Sequence, residues 1–559
     1  MFRCTELNRI REFDLYKNDF IILVLSERDY RLQYKMTEQE KNETVEYFDP
    51  KVDDMANGVE TFQDVMANNK PNYLGPGYIR LYLVCSVVYF CSTMNGFDGS
   101  LISSINAMQD FVDYYKLPPG GYETGLIFSI FNIGGMVAGF FVPVADYLGR
   151  RLAMFLGLGG IVVGVCVMST AKTVPVLIVG RMIASVFSAV SSNAAPIYVV
   201  EVAPPALRGT VAGLYQTLWY LGSLVAAFTC YGTELHLTGH IQWRLPLWLQ
   251  LMFPAVVMTA LPFIPESPRW LVAVDKHERA REFLIKYHAN GDETHPIVDL
   301  EMAEMISSLH DKGLNSWKST IDYRKLFNTR SARLRSYLII AISWFGQFSG
   351  NNISSFYMPQ MLTAVGITSA STKILLNAIY AITGWGAAIA GARCHDIFGR
   401  RKMLMGACLA MSVWLAMMAV CTAVYQRTPN HGVSSANIFF IYVFGATFAF
   451  GFTPVQALYA TEVAANELRA KSMGMANFVS SVSGFVNQFA TPVALERITF
   501  WFYVFFAFWD LIQFTIIYFF FVETKGRTLE ELIAVFEAPN PRKASTNLPS
   551  LEELRVEED

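Results

Sequence analysis

The stretch Asp146-Tyr-Leu-Gly-Arg-Arg151 follows a long apolar run, and Asp396-Ile-Phe-Gly-Arg-Arg401 follows another such run 250 residues later. Each stretch has an acid, two residues without charge, a glycine and two basic residues in that order. One such stretch is typical of a charged loop. Its recurrence indicates that the chain contains two related halves, and this duplication decides the fold.

Two further pairs of charged segments recur in the same order. In the first pair an acid precedes an arginine by seven positions, and the second pair closes the two halves. The four segments are Glu201 to Arg208, Glu462 to Arg469, Glu266 to Arg269, and Glu523 to Arg527. Parallel halves with short repeated loops are typical of many secondary transporters.

The composition indicates a membrane protein. With 53% hydrophobic and 16% charged residues among 559, the chain is too apolar for ordinary soluble domains. It has twelve apolar segments, most of about 20 residues or more, which is the length that a helix needs to cross the hydrocarbon layer. The segments are 79–105, 124–145, 152–171, 175–202, 209–230, 246–264, 336–364, 373–395, 402–425, 436–463, 470–494 and 499–522. We predict an all-α membrane protein with twelve transmembrane helices in two six-helix halves.

The distribution of basic residues predicts the orientation. Lysine and arginine are concentrated in four short loops and in the central loop, so the positive-inside rule places these loops and both termini in the cytoplasm. No cleavable signal peptide is indicated, and we consider Met36 as a hypothetical alternative start of translation. The predicted divisions are a cytoplasmic N-terminal tail at 1–77, an N-terminal six-helix half at 78–268, a cytoplasmic central loop with short helices at 269–335, a C-terminal six-helix half at 336–522 and a cytoplasmic C-terminal tail at 523–559.

The first span contains an acidic residue within Gly96-Phe-Asp98-Gly. A charge inside an apolar helix is costly unless it is paired or hydrated, so Asp98 is first interpreted as functional, and the alternative is a structural acid near the membrane edge. Burial disfavours a charged carboxylate and a nearby cation favours it. An aspartate whose surroundings alternate can therefore bind and release a proton. Arg181 in the fourth span is the candidate cation.

The seventh span has the strongest signal for a substrate site. It combines three amides and two glycines within Gly346 to Asn352, and it ends in a segment with Pro359. Glycine and proline weaken a helix, and the amides can hydrogen-bond sugar hydroxyls in a polar cavity. For Gln216 in the fifth span, sugar binding and helix-to-helix hydrogen bonding are equal alternatives. The candidate substrate ligands are Gln216, Gln347, Asn351, Asn352, Tyr357, Asn377 and Asn487.

The sequence has no signal for enzymatic or metal chemistry. The 8 cysteines lack the spacing of metal ligands, and His288, His295 and His310 are interpreted as ordinary loop histidines. No nucleophile with an adjacent base is evident. We predict that the chain is not an enzyme and has no cofactor or metal site. We also predict that a proton is the coupling ion. Asp510 in the last span has no assigned partner.

Together these residues resemble the sugar porter family of the major facilitator superfamily, over about residues 77 to 545. The matching motifs are Gly96 to Gly99, Asp146 to Arg151, Gly180-Arg181, Pro196 to Arg208, Pro265 to Trp270, Asp396 to Arg401, and Glu523 to Glu530. Within the family, Gly346 to Asn352 and Val535 to Ser545 are similar to fungal lactose permeases. The resemblance implies a major facilitator fold and import of lactose, galactose or a related disaccharide with a proton across the plasma membrane.

The resemblance also implies roles for individual residues. The match at Asp98 implies the proton acceptor, with Arg181 as its partner. The matches to sugar-binding amides are Gln216, Gln347 and Asn352. A set of charged residues matches the inner gate that stabilises the outward-open state. Its members are Asp146, Arg150, Arg151, Glu201, Arg208, Asp396, Arg400, Arg401, Glu462 and Arg469.

Three departures from the family pattern concern the sugar site. Gly346 replaces the first of two glutamines, Ala457 replaces a tryptophan, and Gly384 lies near the position of a ligand asparagine. Each departure removes bulk or a monosaccharide contact, which predicts a roomier cavity suited to a disaccharide. We predict a monomeric symporter that binds no nucleic acid. The alternatives are a sugar receptor on the same scaffold, against which the short C-terminal tail argues, and an uncoupled facilitator of hexoses or cellobiose.

Overall fold

A computed structural model describes residues 72–117, 122–204, 207–310, 323–465, 468–525, 532 and 535–547. Within these ranges, the side chains of 138–146, 208–210, 212, 216, 307–310, 396, 457, 469–470 and 547 are not described. All regular elements in the described ranges are helices, and none is a strand. The predicted all-α fold class is confirmed. Most of the predicted N-terminal tail lies outside the described residues.

The first half consists of long helices followed by a broken one. They are α1 (Pro76–Ile105), α2 (Gln109–Tyr115), α3 (Tyr122–Leu148), α4 (Arg150–Ser169), α5 (Val174–Val202), α6 (Arg208–His236), α7 (His240–Leu249) and α8 (Met252–Ala260), with a 3-10 turn at Leu261–Phe263. At about 1.5 Å per residue, the 30 residues of α1 span about 45 Å, more than the hydrocarbon layer requires.

Short helices follow the first half: α9 (Pro268–Ala273), α10 (His277–Tyr287) and α11 (Pro296–His310). The side chain of Ser267 caps α9 by accepting a hydrogen bond from Trp270 N, and a proline occupies the first turn. His288 differs from the predicted loop histidine because it is buried and bridges two elements. Its Nδ1 lies 2.8 Å from Glu301 Oε2, and its Nε2 lies 3.0 Å from Val202 O at the end of α5. These contacts attach the short helices to the first half.

The second half repeats the succession of long helices, with breaks at different places. It contains a 3-10 turn at Arg324–Leu326, α12 (Arg330–Gln347), α13 (Asn351–Phe356), α14 (Met358–Ala364), α15 (Ala370–Phe398), α16 (Arg400–Arg427), α17 (His431–Gly451), α18 (Val455–Val463), α19 (Arg469–Arg497) and α20 (Phe500–Phe520). α21 (Pro541–Asn547) follows.

Each predicted apolar segment coincides with one of these helices or with consecutive ones. Within the part of the chain that the structure describes, 8 helices are long and apolar enough to cross a membrane by length and composition. Large apolar side chains point away from the bundle, such as Phe508 with 65% of its surface exposed. A lipid-facing surface requires such exposed apolar side chains.

Three of the spans are divided into two consecutive helices, and at the second division backbone carbonyls accept hydrogen bonds from side chains of the bundle. One break separates α7 from α8 at Gln250 and Leu251, a second separates α12 from α13 before Asn351, and a third separates α17 from α18. At the second break, Gly350 has φ +83°, a conformation that favours glycine. Broken helices leave carbonyl and N–H groups that need other partners, so polar side chains are expected near them.

The most extensive contacts between the two halves lie along two pairs of helices. α3 packs along α19, and α6 packs along α15. At one crossing, a Cβ at Gly125 would lie 2.7 Å from Phe489 O, so only glycine permits this close approach. Farther along the same pair, Asn132 Nδ2 donates to Gln488 Oε1 at 2.8 Å.

Candidate functional site

A charged cluster lies at the end of the bundle that contacts α9 to α11, which we call the inner end. Arg150, the first residue of α4, forms two parallel contacts with Glu201 near the end of α5: Nε to Oε2 at 2.9 Å and Nη2 to Oε1 at 3.0 Å. Paired contacts of this kind fix the orientation of both side chains. Gly149 precedes Arg150 with φ +88°.

A second carboxylate in this cluster binds the start of α4. Glu266 accepts hydrogen bonds from the backbone N–H groups of Arg150 at 3.1 Å and Arg151 at 3.3 Å. These are first-turn N–H groups that lack partners within the helix, and the positive end of the helix dipole also favours an acid there. Burial raises the pKa of the Glu266 carboxyl, although the hydrogen bonds from these N–H groups lower it. Ser267 connects the two acids, because its N–H donates to Glu266 Oε1 at 3.0 Å and its Oγ donates to Glu201 Oε2 at 2.5 Å.

The inner end of the second half repeats this cluster. Arg400 Nη2 lies 3.0 Å from Glu462 Oε1, and Glu523 accepts from the N–H groups of Arg400 at 2.8 Å and Arg401 at 3.1 Å. Thr524 Oγ1 donates to Glu462 Oε2 at 2.6 Å, in the place that a serine has in the first cluster. Gly399 has φ +92°, which matches the corresponding glycine of the first half.

The remaining basic residue of each repeated loop also has a matching partner. Arg151 Nη2 donates to Pro262 O at 3.1 Å, and Arg401 Nη2 donates to Tyr518 O at 2.7 Å. Both carbonyls belong to the last span of the same half. The repeated loops therefore fasten the third, fourth and sixth spans of each half together.

The structure brings six of the ten predicted gate residues into these two clusters, and their role as a gate stays a prediction. The six are Arg150, Arg151, Glu201, Arg400, Arg401 and Glu462. The side chains of the other four lie outside the described part of the chain. These are Asp146, Arg208, Asp396 and Arg469. The acids that bind the helix starts, Glu266 and Glu523, were recognised as repeated residues but not as gate residues.

The predicted proton pair lies deep in the first half. Asp98 on α1 and Arg181 on α5 are 5% and 3% exposed, and Asp98 Oδ1 is 3.6 Å from Arg181 Nη1. That distance allows electrostatic attraction but exceeds a hydrogen bond. The hydrogen bond to Asp98 Oδ1 comes from Gln250 Nε2 at 2.9 Å. The sequence interpretation missed Gln250; an amide within an apolar span was the available signal.

A small void adjoins this pair. Its volume is about 10 Å³, close to the space for one water molecule, and its lining includes Asp98, Gln250 and Asn95. Asn95 accepts from Ser188 Oγ at 2.8 Å and donates to Ser192 Oγ at 2.8 Å. Polar groups thus continue from the acid toward the inner end between α1 and α5.

The predicted amides of the seventh span surround the break between α12 and α13. Asn352 Nδ2 and Asn487 Nδ2 donate to Gln347 O at 3.1 Å and 2.8 Å. Asn351 Oδ1 accepts from Ser355 Oγ at 3.3 Å. The break therefore brings four of the predicted ligands together. Two of them, Asn352 and Asn487, donate hydrogen bonds to the Gln347 carbonyl at the break.

The other two described ligands make a contact within the second half, for Tyr357, and contacts between the halves, for Asn377. Tyr357 OH donates to Gln488 O at 2.6 Å, while Asn377 Nδ2 donates to Ser100 Oγ at 3.2 Å and Ser104 Oγ at 3.3 Å. Asn377 is 4% exposed, so it contributes to the contact between α15 and α1. The side chain of Gln216 lies outside the described residues.

The glycines that predicted a roomier cavity have close neighbours instead. A Cβ at Gly346 would overlap the side-chain amide of Gln456 on α18, and one at Gly384 would lie 3.0 Å from the Tyr220 ring. The space beside these glycines is occupied, so they do not by themselves enlarge the cavity. The side chain of Ala457 lies outside the described residues. Gln456 thus reaches the position that a side chain at 346 would take.

Comparison with known proteins agrees with this architecture. The family model described as "Sugar (and other) transporter" matches residues 84–536. The chain belongs to this family. Hexose transporter 2 of Kluyveromyces lactis is 28% identical over 522 residues, covering 90% of this chain and 90% of the relative. The Probable quinate permease of Aspergillus terreus is 25% identical over 503 residues, covering 86% of this chain and 91% of the relative.

Solved structures give the fold. The inward-open xylose transporter XylE from E. coli has a TM-score of 0.67 and 19% identity, covering 82% of this chain and all of the other. A structure titled as the proton:xylose symporter XylE bound to 6-bromo-6-deoxy-D-glucose has a TM-score of 0.66 and 20% identity, covering 82% and 99%. The sugar transporter therefore has the major facilitator fold. It is a multi-pass membrane transporter and not an enzyme.

Proposed function

We propose that this sugar transporter is a proton-coupled symporter of the plasma membrane that imports lactose or a related galactoside by alternating access. Family membership supports sugar transport. The observation that carries proton coupling is the buried pair of Asp98 and Arg181. An ionisable pair at this depth is costly to maintain, so a functional role is its first explanation.

The geometry of the pair suits a reversible proton site. Arg181 is anchored independently of the acid, because its Nε donates to Ile127 O at 2.8 Å and its guanidinium lies 5.7 Å from the Phe131 ring centroid. The arginine can therefore stay in place when Asp98 is protonated. Arg181 thus holds a fixed positive charge beside Asp98 in both protonation states.

In the proposed cycle, protonated Asp98 and bound sugar favour closure of the halves around the site. The halves then rock, and both ligands leave at the inner end. The amides near the break before Asn351 are the proposed sugar ligands. The polyhydroxylated substrates that the relatives' names give, hexoses and quinate, are consistent with an amide-lined site. The choice of lactose rests on the resemblance to fungal lactose permeases.

Uptake of labelled lactose tests the proposal in yeast without its own carrier. The assay compares acid with neutral medium, with and without a protonophore, and adds unlabelled galactose, cellobiose, glucose or quinate as competitors. We expect uptake that acid stimulates and the protonophore abolishes. Competition ranks the substrates. Uptake that ignores both pH and protonophore would show an uncoupled facilitator, and no uptake of any sugar despite surface expression would favour a receptor.

The variant Asp98→Asn tests the coupling residue directly. It should retain exchange of labelled for unlabelled sugar but lose accumulation against a gradient, because an amide cannot carry the proton. Asp510→Asn is the matched control. Asp510 is fully buried in α20, and its carboxylate oxygens have no hydrogen-bond partner among the described residues. The coupling role of Asp98 is refuted if Asp98→Asn accumulates sugar as the wild type does.

A further inference from the structure

Gln250 contacts the proton site from a broken helix. The residue is 2% exposed and lies between α7 and α8, and its Nε2 donates to Asp98 Oδ1 at 2.9 Å. The other end of the same amide, Oε1, is buried without a hydrogen-bond partner among the described residues. A buried carbonyl oxygen without a partner is unfavourable, so this unused acceptor needs an explanation.

The two protonation states of Asp98 require opposite partners. The carboxylate only accepts hydrogen bonds, whereas the protonated acid also donates one. In the side-chain amide of glutamine, the donor Nε2 and the acceptor Oε1 are attached to the same carbon, Cδ. Rotation about the Cγ–Cδ bond exchanges their positions. Gln250 can therefore donate through Nε2 to the carboxylate and accept through Oε1 from the acid, with no movement of its backbone.

We infer that Gln250 is the positioning residue that responds to the protonation of Asp98 by exchanging the two ends of its amide. This inference rests on the proposed symport. When Asp98 gains a proton, the new hydroxyl donates to Oε1, and Nε2 is released toward the adjoining void. Gln250 lies at the junction of α7 and α8, so this exchange changes the hydrogen bonds of the sixth span at that junction.

The surroundings leave few other groups for this role. Arg181 on α5 is the charged neighbour of Asp98, and Tyr357, after α13, interacts electrostatically with Arg181. Tyr357 is committed elsewhere because its hydroxyl donates to Gln488 O. Of the residues that line the void on α1, α3, α4 and α5, Asp98 is the titratable one. A response to pH at this site therefore centres on Asp98, with Gln250 as its hydrogen-bonding neighbour.

The test is the pH dependence of the uptake rate in full-length variants. In Gln250→Leu the carboxylate loses its donor and gains an apolar neighbour, so the midpoint of the pH profile should move about one pH unit to the alkaline side, a tenfold change in proton affinity. Gln250→Glu should shift it farther in the same direction, because two carboxylates at one site hold a proton more tightly. Both variants should accumulate less sugar.

Gln242→Leu is the matched control. Gln242 is a glutamine on α7 that is 7% exposed, and its Nε2 donates to Glu234 O at 3.5 Å. Its replacement should alter the amount of protein at the membrane but not the midpoint. If Gln250→Leu does not reach the membrane, Gln250→Glu, which has nearly the same shape, decides.

Unchanged midpoints in the Gln250 variants beside a normal wild-type profile would overturn this inference alone. A wild-type profile that is flat with pH would overturn the proposed symport and this inference together. Equal shifts in the Gln242 and Gln250 variants would also contradict the inference, because they would reveal a general effect of glutamine loss in the sixth span.

Discussion

The two halves are nearly identical at their inner ends and different in the middle of the membrane. At the inner ends, Arg150 with Glu201 and Arg400 with Glu462 have equivalent partners, and each repeated loop binds an acid that follows the last span. In the middle, the first half holds an acid and an arginine, while the second half holds amides around a broken helix.

The difference follows from the shapes of the first helix of each half. α1 is continuous, so its backbone groups bond within the helix, and the side chain of Asp98 has no backbone group to satisfy. Its counterpart is broken after α12, which leaves the carbonyls of Gln347 and Phe348 in the interior. Asn487 Nδ2 and Gln513 Nε2 donate to them at 2.8 Å and 3.0 Å. The repeated parts thus suit a common mechanical role, and the divergent parts suit proton and sugar binding.

The largest expected effect tests the repeated loops. Gly149→Ala and Gly399→Ala should each reduce transport to below about a tenth of wild type, because their φ values near +90° are strained for alanine by roughly 1–3 kcal/mol. The added Cβ would also lie 2.8 Å from Glu266 Oε2 or 2.7 Å from Glu523 Oε2. Uptake normalised to surface protein measures the effect.

Matched controls lie on the helices that follow these loops. Gly159 on α4 and Gly406 on α16 have open space where a Cβ would be, so their alanine variants should transport normally. If only one of the two loop variants fails, the inner ends are not equivalent.

We expect a smaller effect on transport from removing the charge of one acid in each ion pair, and the size of this effect should differ between the two halves. Glu201→Gln should slow transport about tenfold, because it removes charge from paired contacts in which each hydrogen bond to a charged group contributes roughly 1.5–3 kcal/mol. Glu462→Gln should slow it less, since the Glu462 side chain is 20% exposed against 12% for Glu201, and exposure weakens ion pairs. Sugar exchange and net uptake measure both variants. A larger effect in the second half would reverse the comparison.

The next prediction concerns the divergent middle. Gly346→Ala should force Gln456 out of its position, and Gln456→Ala should remove the amide, so both should change the competition profile of sugars. Loss of one hydrogen bond to sugar corresponds to about 1 kcal/mol, or roughly a fivefold rise in KM. The double variant should express like the wild type because its clash is relieved. Identical competition profiles in all variants would separate Gln456 from sugar recognition.

Much of this architecture could be predicted from sequence, because spans and repeated charged loops have local signals. The predicted segment 152–171 and the helix Arg150–Ser169 differ by two residues at each end. The roomier cavity was not predictable in the same way: a glycine such as Gly346 shows only that a side chain is missing, and the group that fills the space lies 110 residues away at Gln456. Gln250 was missed for the same reason, since its importance depends on its distance to Asp98.

The smallest expected effect concerns equivalent carbonyl groups that the halves satisfy differently. Val202 O at the end of α5 contacts His288 Nε2 at 3.0 Å, whereas Val463 O at the end of α18 accepts from Arg335 Nη1 at 3.2 Å. Arginine is always charged, and its guanidinium also lies 4.4 Å from the Phe536 ring centroid. His288→Ala should therefore lower the Tm of the purified transporter by a few degrees, and Arg335→Ala should lower it more, since each lost hydrogen bond contributes about 1 kcal/mol.

The exposed His431 at the start of α17 provides the control for this last comparison, because its replacement by alanine removes no contact to a helix end and should leave the Tm unchanged. A larger decrease for His288→Ala than for Arg335→Ala would mean that the short helices α10 and α11 stabilise the first half more than the charged cap stabilises the second. The halves would then also differ in how strongly these contacts stabilise their inner ends, and the equivalence of the repeated clusters would be confined to their ion pairs.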